Sequence, residues 1–124
     1  MEKKVITIDG FPKGGPYSHA VEAGGFLFVA GTGPVDPETN LVIDEIRAAT
    51  RLVLGTLKKI LESQGSGLEK AVKVNVYLRD MKDFQAMNEV YITFFPQNQP
   101  VRTCVAVREL PRNFPVEIEL VAVK

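Results

Sequence analysis

The sequence holds one cysteine and one histidine among its 124 residues. A lone thiol cannot close a disulfide within the chain, so a reducing compartment, the cytoplasm by default, is expected. One imidazole and one thiol cannot assemble a nitrogen-and-sulfur zinc cluster, and no metal is expected. Net charge is also missing, because fifteen basic residues balance fifteen acidic ones. With no basic excess to drive association, neither nucleic acid nor an anionic membrane is expected as a partner. The N-terminus, Met1-Glu2-Lys3-Lys4 and then Val5, lacks the long apolar core of a signal peptide. No apolar run approaches the roughly 20 residues that span a bilayer, and the longest candidate, Phe26 to Ala30, has the length of a strand. Gly31-x-Gly33 is too short for a dinucleotide fingerprint, and no phosphate-cradling loop ending in Lys-Ser or Lys-Thr occurs. No cofactor is expected.

What remains is a chain of ordinary globular composition, 45% hydrophobic and 24% charged. Its length suits a single domain over residues 1–124 with a real core. Val5 to Ile8 is a short β-like run, followed by a loop rich in glycine and proline (Pro12, Gly14, Gly15, Pro16) that marks irregular backbone. Ala20 to Glu22 and Phe26 to Ala30 read as a hairpin turning at Gly24-Gly25. From about Asp44 to Ser63 the apolar residues Ile46, Ala49, Val53, Leu57, Ile60 and Leu61 recur at helical spacing, with Asp44 as the expected N-cap. Val72, Val74, Val76 and Leu78 then alternate with polar residues as a strand. A second helix is expected from about Lys82 to Phe95, with Phe84, Met87, Tyr91 and Phe94 on one face and Pro96 as its stop. The order predicts an α+β fold, a mixed sheet of five or six strands with two helices on one face. The other face, still carrying apolar residues, is of the kind another subunit covers.

The chain closes on two strand-like runs around a loop with two prolines. Side chains alternate between faces along a strand. Val101, Thr103, Val105 and Val107 therefore share one face, and Arg102 and Cys104 the other. In the second run Val116, Ile118 and Leu120 alternate with Glu117 and Glu119. Runs lying close in one sheet would let a guanidinium, a thiol and a carboxylate meet. Arg102 offers a planar fork suited to gripping a carboxylate. Either Glu117 or Glu119 could orient a water and move its proton. Cys104 reads as a small buried hydrophobe rather than a nucleophile, since nothing in the sequence brings His19 to it.

These residues also carry a resemblance. P-V-R-T-C-V at Pro100 to Val105, the Leu110-Pro111 turn and V-E-I-E at Val116 to Glu119 resemble the signature of the RidA (YjgF-like) family. Tyr17 in G-P-Y-S, Gly31 in V-A-G and Asn88 in F-x-x-M-N-x-x-Y look like the family too, so the likeness spans nearly the whole chain. It implies the chorismate mutase-like fold, assembled as a homotrimer with sheets packed inward and active sites between subunits. It implies an enamine/imine deaminase that hydrolyses reactive 2-imino acids, such as 2-iminopropanoate and 2-iminobutanoate, to 2-oxo acids and ammonia. Arg102 would clamp the substrate carboxylate and Glu117 would hold the water. Cys104 would line the pocket, with Tyr17 at its lid, Gly31 offering its backbone and Asn88 in the intersubunit cleft. One departure stands out: many deaminases of the family have serine before the glycine of that strand and glutamine after it, where this chain has Ala30 and Thr32. A non-catalytic small-molecule-binding regulatory trimer is therefore the alternative. The nuclease role attached to some relatives fits poorly with zero net charge and a single histidine.

Overall fold

In the computed structural model, which describes residues 1–124, six strands form one sheet and two helices lie along one of its faces. The strands are β1 (Lys4–Ile6), β2 (Ala20–Ala23), β3 (Phe26–Thr32), β4 (Ala71–Leu78), β5 (Val101–Ala106) and β6 (Val116–Val123). The helices are α1 (Ile46–Ser63) and α2 (Phe84–Phe94). Spatial order across the sheet is β1-β2-β3-β6-β4-β5. Only the β4–β5 pair is parallel, joined by the α2 crossover, so the sheet is mixed as expected. The short first run does pair, antiparallel to β2.

The core follows from the period-two pattern. Val74, Val76 and Leu78 of β4 and Val116, Ile118, Leu120 and Ala122 of β6 are buried beneath the helices. Against them α1 buries Ala49, Val53, Leu54, Leu57, Ile60 and Leu61, the stripe that its 3.6-residue period dictates. The opposite face of the sheet carries no helix. Phe26, Phe28, Val101, Val105 and Val123 stand exposed along it, Phe28 at 47% and Val101 at 67%. They stand toward the two sides of the sheet, with Lys73, Asn75, Glu117 and Glu119 on the middle strands between them.

Three local expectations are corrected. The N-cap of α1 is Glu45, whose carboxylate accepts from the backbone N–H groups of Arg47 and Ala48. Asp44 is drawn away to an ion pair with Arg79 instead, 3.0 Å. The second helix opens with a single 3-10 turn, Met81–Asp83, capped by the Asp80 side chain on Lys82 N–H, before the α-helical turns begin at Phe84. Its far end keeps to expectation, one residue before the Phe95-Pro96 break. Finally, β3 is interrupted: its register against β6 shifts between Val29 and Thr32, so Ala30 and Gly31 sit on a bulge.

Candidate active site

The residues singled out from the sequence do not converge in one chain. Cross-strand partners share a face, and both Cys104 and Ile118 pair with Val76, while Tyr77 pairs with Glu117 and with Val105. Arg102 and Cys104 thus look toward the helices, and Glu117 and Glu119 toward the bare face. Strand β4 also stands between the two runs. The expectation that guanidinium, thiol and carboxylate meet on one surface fails within the subunit because an odd register offset across β4 sends the two polar rows to opposite sides. What the fold builds is two separate hollows.

The first gathers at the open end of the β3 bulge. Its floor is Glu117 on β6, and its wall is Gly31, at which an added β-carbon would stand 2.5 Å from the Glu117 Oε2 atom. Tyr17 reaches the same hollow from the Gly/Pro loop, its hydroxyl accepting the Gly14 N–H at 2.9 Å and so keeping its own proton free to donate. That loop is pinned by the buried His19. Its Nδ1 accepts from Ile8 N–H (2.9 Å) and its Nε2 reaches the Pro12 carbonyl (3.3 Å), so both ring nitrogens are engaged with backbone. The hollow measures about 640 Å³ and is closed at the rim by Phe114 and Arg112. Arg112, held at φ 52°, donates to the Asn40 carbonyl at 2.8 Å across the mouth.

Burial lifts the Glu117 carboxyl above its ordinary value, and the neighbouring Glu119 charge adds to the lift. The two acids are not equivalent. Glu119 accepts a hydrogen bond from the Tyr77 hydroxyl at 2.9 Å, whereas Glu117 has no such partner and faces the hollow. Of the two, Glu117 is the one that faces the hollow without a side-chain partner. Thr32, which also lines the hollow, turns its hydroxyl back to the Ala30 carbonyl at 3.0 Å. It does not stand in for the serine hydroxyl absent at Ala30.

The second hollow lies between β5 and α2. Arg102 Nη1 donates to Asn88 Oδ1 at 2.7 Å. The guanidinium carbon sits 4.7 Å from the centre of the Tyr91 ring and 5.6 Å from that of Phe84. Phe84, Asn88 and Tyr91 fall at i, i+4 and i+7, one stripe of α2. A hollow of about 300 Å³ opens beside them, lined further by Ile92, Phe95 and Pro100. Cys104 is partly buried next along the strand; burial raises its thiol, against a smaller downward pull from Arg102. A raised thiol stays protonated at neutral pH and is a poor nucleophile. Tyr91 and Phe84 were legible from sequence as a helical apolar stripe and as the ends of the F-x-x-M-N-x-x-Y motif, but their partnership with Arg102 was not.

A mixed sheet with two helices on one face, an arginine braced by one helix, and a half-buried carboxylate behind a glycine bulge define the class: an α+β protein of the chorismate mutase-like fold. Comparison with known proteins gives the family. The sequence model described as Endoribonuclease L-PSP, the RidA/YjgF group, matches residues 8–124, and the chain belongs to this family. A RutC family protein of Pyrococcus horikoshii is 47% identical over 124 residues, covering 98% of both chains. The 2-iminobutanoate/2-iminopropanoate deaminase of Salmonella typhimurium is 35% identical, over 100% of this chain and 99% of its own. Among solved structures, E. coli TdcF with bound serine superposes with a TM-score of 0.91 at 34% identity, covering 98% of each chain. No helix is long and apolar enough to cross a membrane.

Proposed function

We propose that the chain is an enamine/imine deaminase, a hydrolase acting on C=N bonds, that converts small 2-imino acids to 2-oxo acids and ammonia and so removes reactive intermediates. One observation carries this reading: a free, half-buried carboxylate with a raised pKa and a braced guanidinium occupy complementary half-sites on opposite faces of one sheet. Each half lacks what the other has. β5 is an edge strand, and we propose that a neighbouring copy, packed by its bare face, brings the Arg102 hollow at its β5 edge to the Glu117 hollow of this one. We propose a homotrimer with three such clefts, its sheets packed inward over Phe26, Phe28, Val101 and Val105. The single thiol suits a reducing compartment, and the cytoplasm is the one proposed.

In the cleft the substrate carboxylate docks on the open edge of Arg102, the edge that Asn88 does not occupy. Water bound to Glu117 loses a proton to the carboxylate as its oxygen adds to the imine carbon. With the imine protonated, this gives a neutral carbinolamine; Glu117 returns the proton to its nitrogen, then accepts the hydroxyl proton as the C–N bond breaks, the C=O bond of the 2-oxo acid forms and ammonia leaves, and the proton passes to solvent. Tyr17, with a free hydroxyl proton, and the Gly31 backbone close the cleft over the nitrogen side, and Cys104 lines it. The pull of Arg102 on the substrate's negative charge is fixed in advance by α2, which costs no reorganisation during the reaction. Because imines hydrolyse unaided in water, positioning suffices and no cofactor chemistry is called upon.

The test couples the protein to a pyridoxal-phosphate threonine dehydratase and follows 2-oxobutanoate while semicarbazide competes for the imine. Wild type accelerates release; Arg102→Ala and Glu117→Gln each do not. Mixing the two inactive variants after dissociation and reassembly regains activity, because some clefts then combine an intact arginine from one subunit with an intact glutamate from another. Failure of the mixture to regain any activity overturns the shared cleft.

The alternative is a binding trimer of the same fold that holds a carboxylate ligand without turnover. The loss of a hydroxyl at Ala30 and the inward turn of the Thr32 hydroxyl favour it. It is distinguished by keto-acid binding without ammonia release. A nuclease is disfavoured, since the sole imidazole is buried with both nitrogens bound to backbone.

A further inference from the structure

The arginine of the clamp is held by more than its hydrogen bond. The Tyr91 ring lies 4.7 Å from the guanidinium carbon and 4.6 Å from the Phe95 ring centroid. It is one of the most buried large side chains next to the cleft, with only 6% of its surface exposed. Its hydroxyl is wholly enclosed and has no hydrogen-bond partner. A buried tyrosine hydroxyl ordinarily finds one. No hydrogen bond within the subunit holds the hydroxyl. The ring is what contacts the charge. A guanidinium over an aromatic face within about 6 Å is attracted by the ring quadrupole, most strongly where water is excluded.

We propose that Tyr91 is a positioning residue whose ring, and not its hydroxyl, sets the plane in which Arg102 presents its free edge to a ligand carboxylate. Asn88 fixes one terminal nitrogen, Phe84 borders the group at 5.6 Å, and Tyr91 covers a face. A planar group held at an edge and on a face keeps one orientation, so the bidentate geometry is ready before the ligand arrives. Without the ring, Arg102 retains a single hydrogen bond on a side chain otherwise free to swing, and the carboxylate must order it. That cost falls on the bound substrate and the transition state alike. It therefore raises KM and leaves kcat in place.

The inference rests on the reading of Arg102 as a carboxylate clamp, so the experiment reads binding separately from turnover. Calorimetric titration with 2-oxobutanoate, the coupled imine assay and thermal melting are run on wild type, Tyr91→Phe and Tyr91→Leu, with assembly checked by sizing. Tyr91→Phe keeps the wild-type Kd and KM within about twofold and melts at the same temperature or higher, because an unpaired buried hydroxyl is removed. Tyr91→Leu weakens 2-oxobutanoate by about tenfold and raises KM in step, with kcat within about threefold. If Tyr91→Leu does not fold, Tyr91→Met, which keeps bulk without a π face, takes its place. A Kd unchanged in the leucine or methionine variant, or a loss in Tyr91→Phe as large as in Tyr91→Leu, overturns the proposal. Wild type that binds 2-oxobutanoate but turns over no imine refutes the deaminase while leaving the Tyr91 comparison decisive. Wild type that neither binds nor turns over refutes both.

Discussion

A β-carbon on Gly31 would stand 2.5 Å from Oε2 of Glu117, so the glycine and the carboxylate share one space and only the absence of a side chain leaves it to the acid. The bulge between Val29 and Thr32 brings the backbone to that point. Gly31→Ala therefore displaces Glu117 rather than the core. The expected outcome is a fall in kcat of about tenfold to a hundredfold, the range a misplacement of about 1 Å produces. The melting temperature should move by only a few degrees, since the carboxylate has room in the hollow. A large loss of stability with kcat retained would mean that Glu117 is not the group whose position matters.

The pKa of Glu117 ties activity and stability to pH in opposite directions. In the general-base role proposed for it Glu117 works when ionised, so turnover is expected to rise with pH through its raised folded-state value. For stability, a folded pKa above the unfolded one means the native state holds the proton more tightly between the two. Stability therefore declines as pH climbs through that window, and the deficit persists above it. Glu117→Gln removes the deficit and is expected to melt higher than wild type at neutral pH while losing turnover. Melting curves of the two proteins from the acid side of the window to neutral pH check the sign: the curves should converge at the low end.

Glu119 lifts the same carboxyl through its charge, and does so while bound to Tyr77. Glu119→Gln keeps an acceptor for the tyrosine and removes the charge. The acid limb of the pH–rate profile should move to lower pH, with the plateau rate kept within about threefold. An unmoved limb would show that burial alone sets the Glu117 value.

The elements of the fold were legible because each has a clean period. The α1 stripe and the alternation in β4 and β6 name about half of the 23 core residues, although Val72 turns outward where β4 shifts register, and the pairing of helices with one face follows from counting layers. The site was legible as a set of residues and not as a place. Alternation tells which residues of a strand share a face but not which face of the sheet that is, since the answer depends on register across β4. Hence the alternation places Arg102 and Glu117 on rows of their own strands, while the condition that would let them meet, two runs close together with those rows on one face, is not met in this sheet. Caps failed for a similar reason: Asp44 suits an N-cap locally, and only the fold supplies Arg79 as its competitor. Tyr91 showed in the sequence as part of a helical stripe and of the F-x-x-M-N-x-x-Y motif, but its relation to Arg102 is made across an interface between a helix and a strand and could not be read there.

Cys104 tests whether the chemistry is covalent. Burial keeps its thiol protonated, with Arg102 too weak an influence to reverse this. Cys104→Ala should keep kcat within about threefold, and alkylation of wild type by iodoacetamide should be slow at pH 7 and accelerate only in alkali. Rapid alkylation at neutral pH that tracks inactivation, together with a dead alanine variant, would require a thiolate in the mechanism.

Ala30 is the residue at which activity stands to gain. It sits on the bulge beside Gly31, and the nearby Thr32 hydroxyl is committed to the Ala30 carbonyl rather than to the hollow. Ala30→Ser supplies a hydroxyl at the position where many deaminases of the family carry one. A neutral hydrogen bond is worth about 0.5 to 1.5 kcal/mol, so kcat/KM toward 2-iminobutanoate should rise by about twofold to tenfold if the serine reaches substrate or water. Running the substitution with and without Thr32→Val separates the two hydroxyls. If the serine variant gains activity equally in both backgrounds, the new group acts alone and Thr32 is a backbone brace. A gain that needs Thr32→Val would mean that the threonine hydroxyl competes for the same carbonyl. If wild type proves to bind keto acid without turnover, the appearance of ammonia release in Ala30→Ser alone would locate the difference between a binding trimer and an enzyme in one oxygen atom.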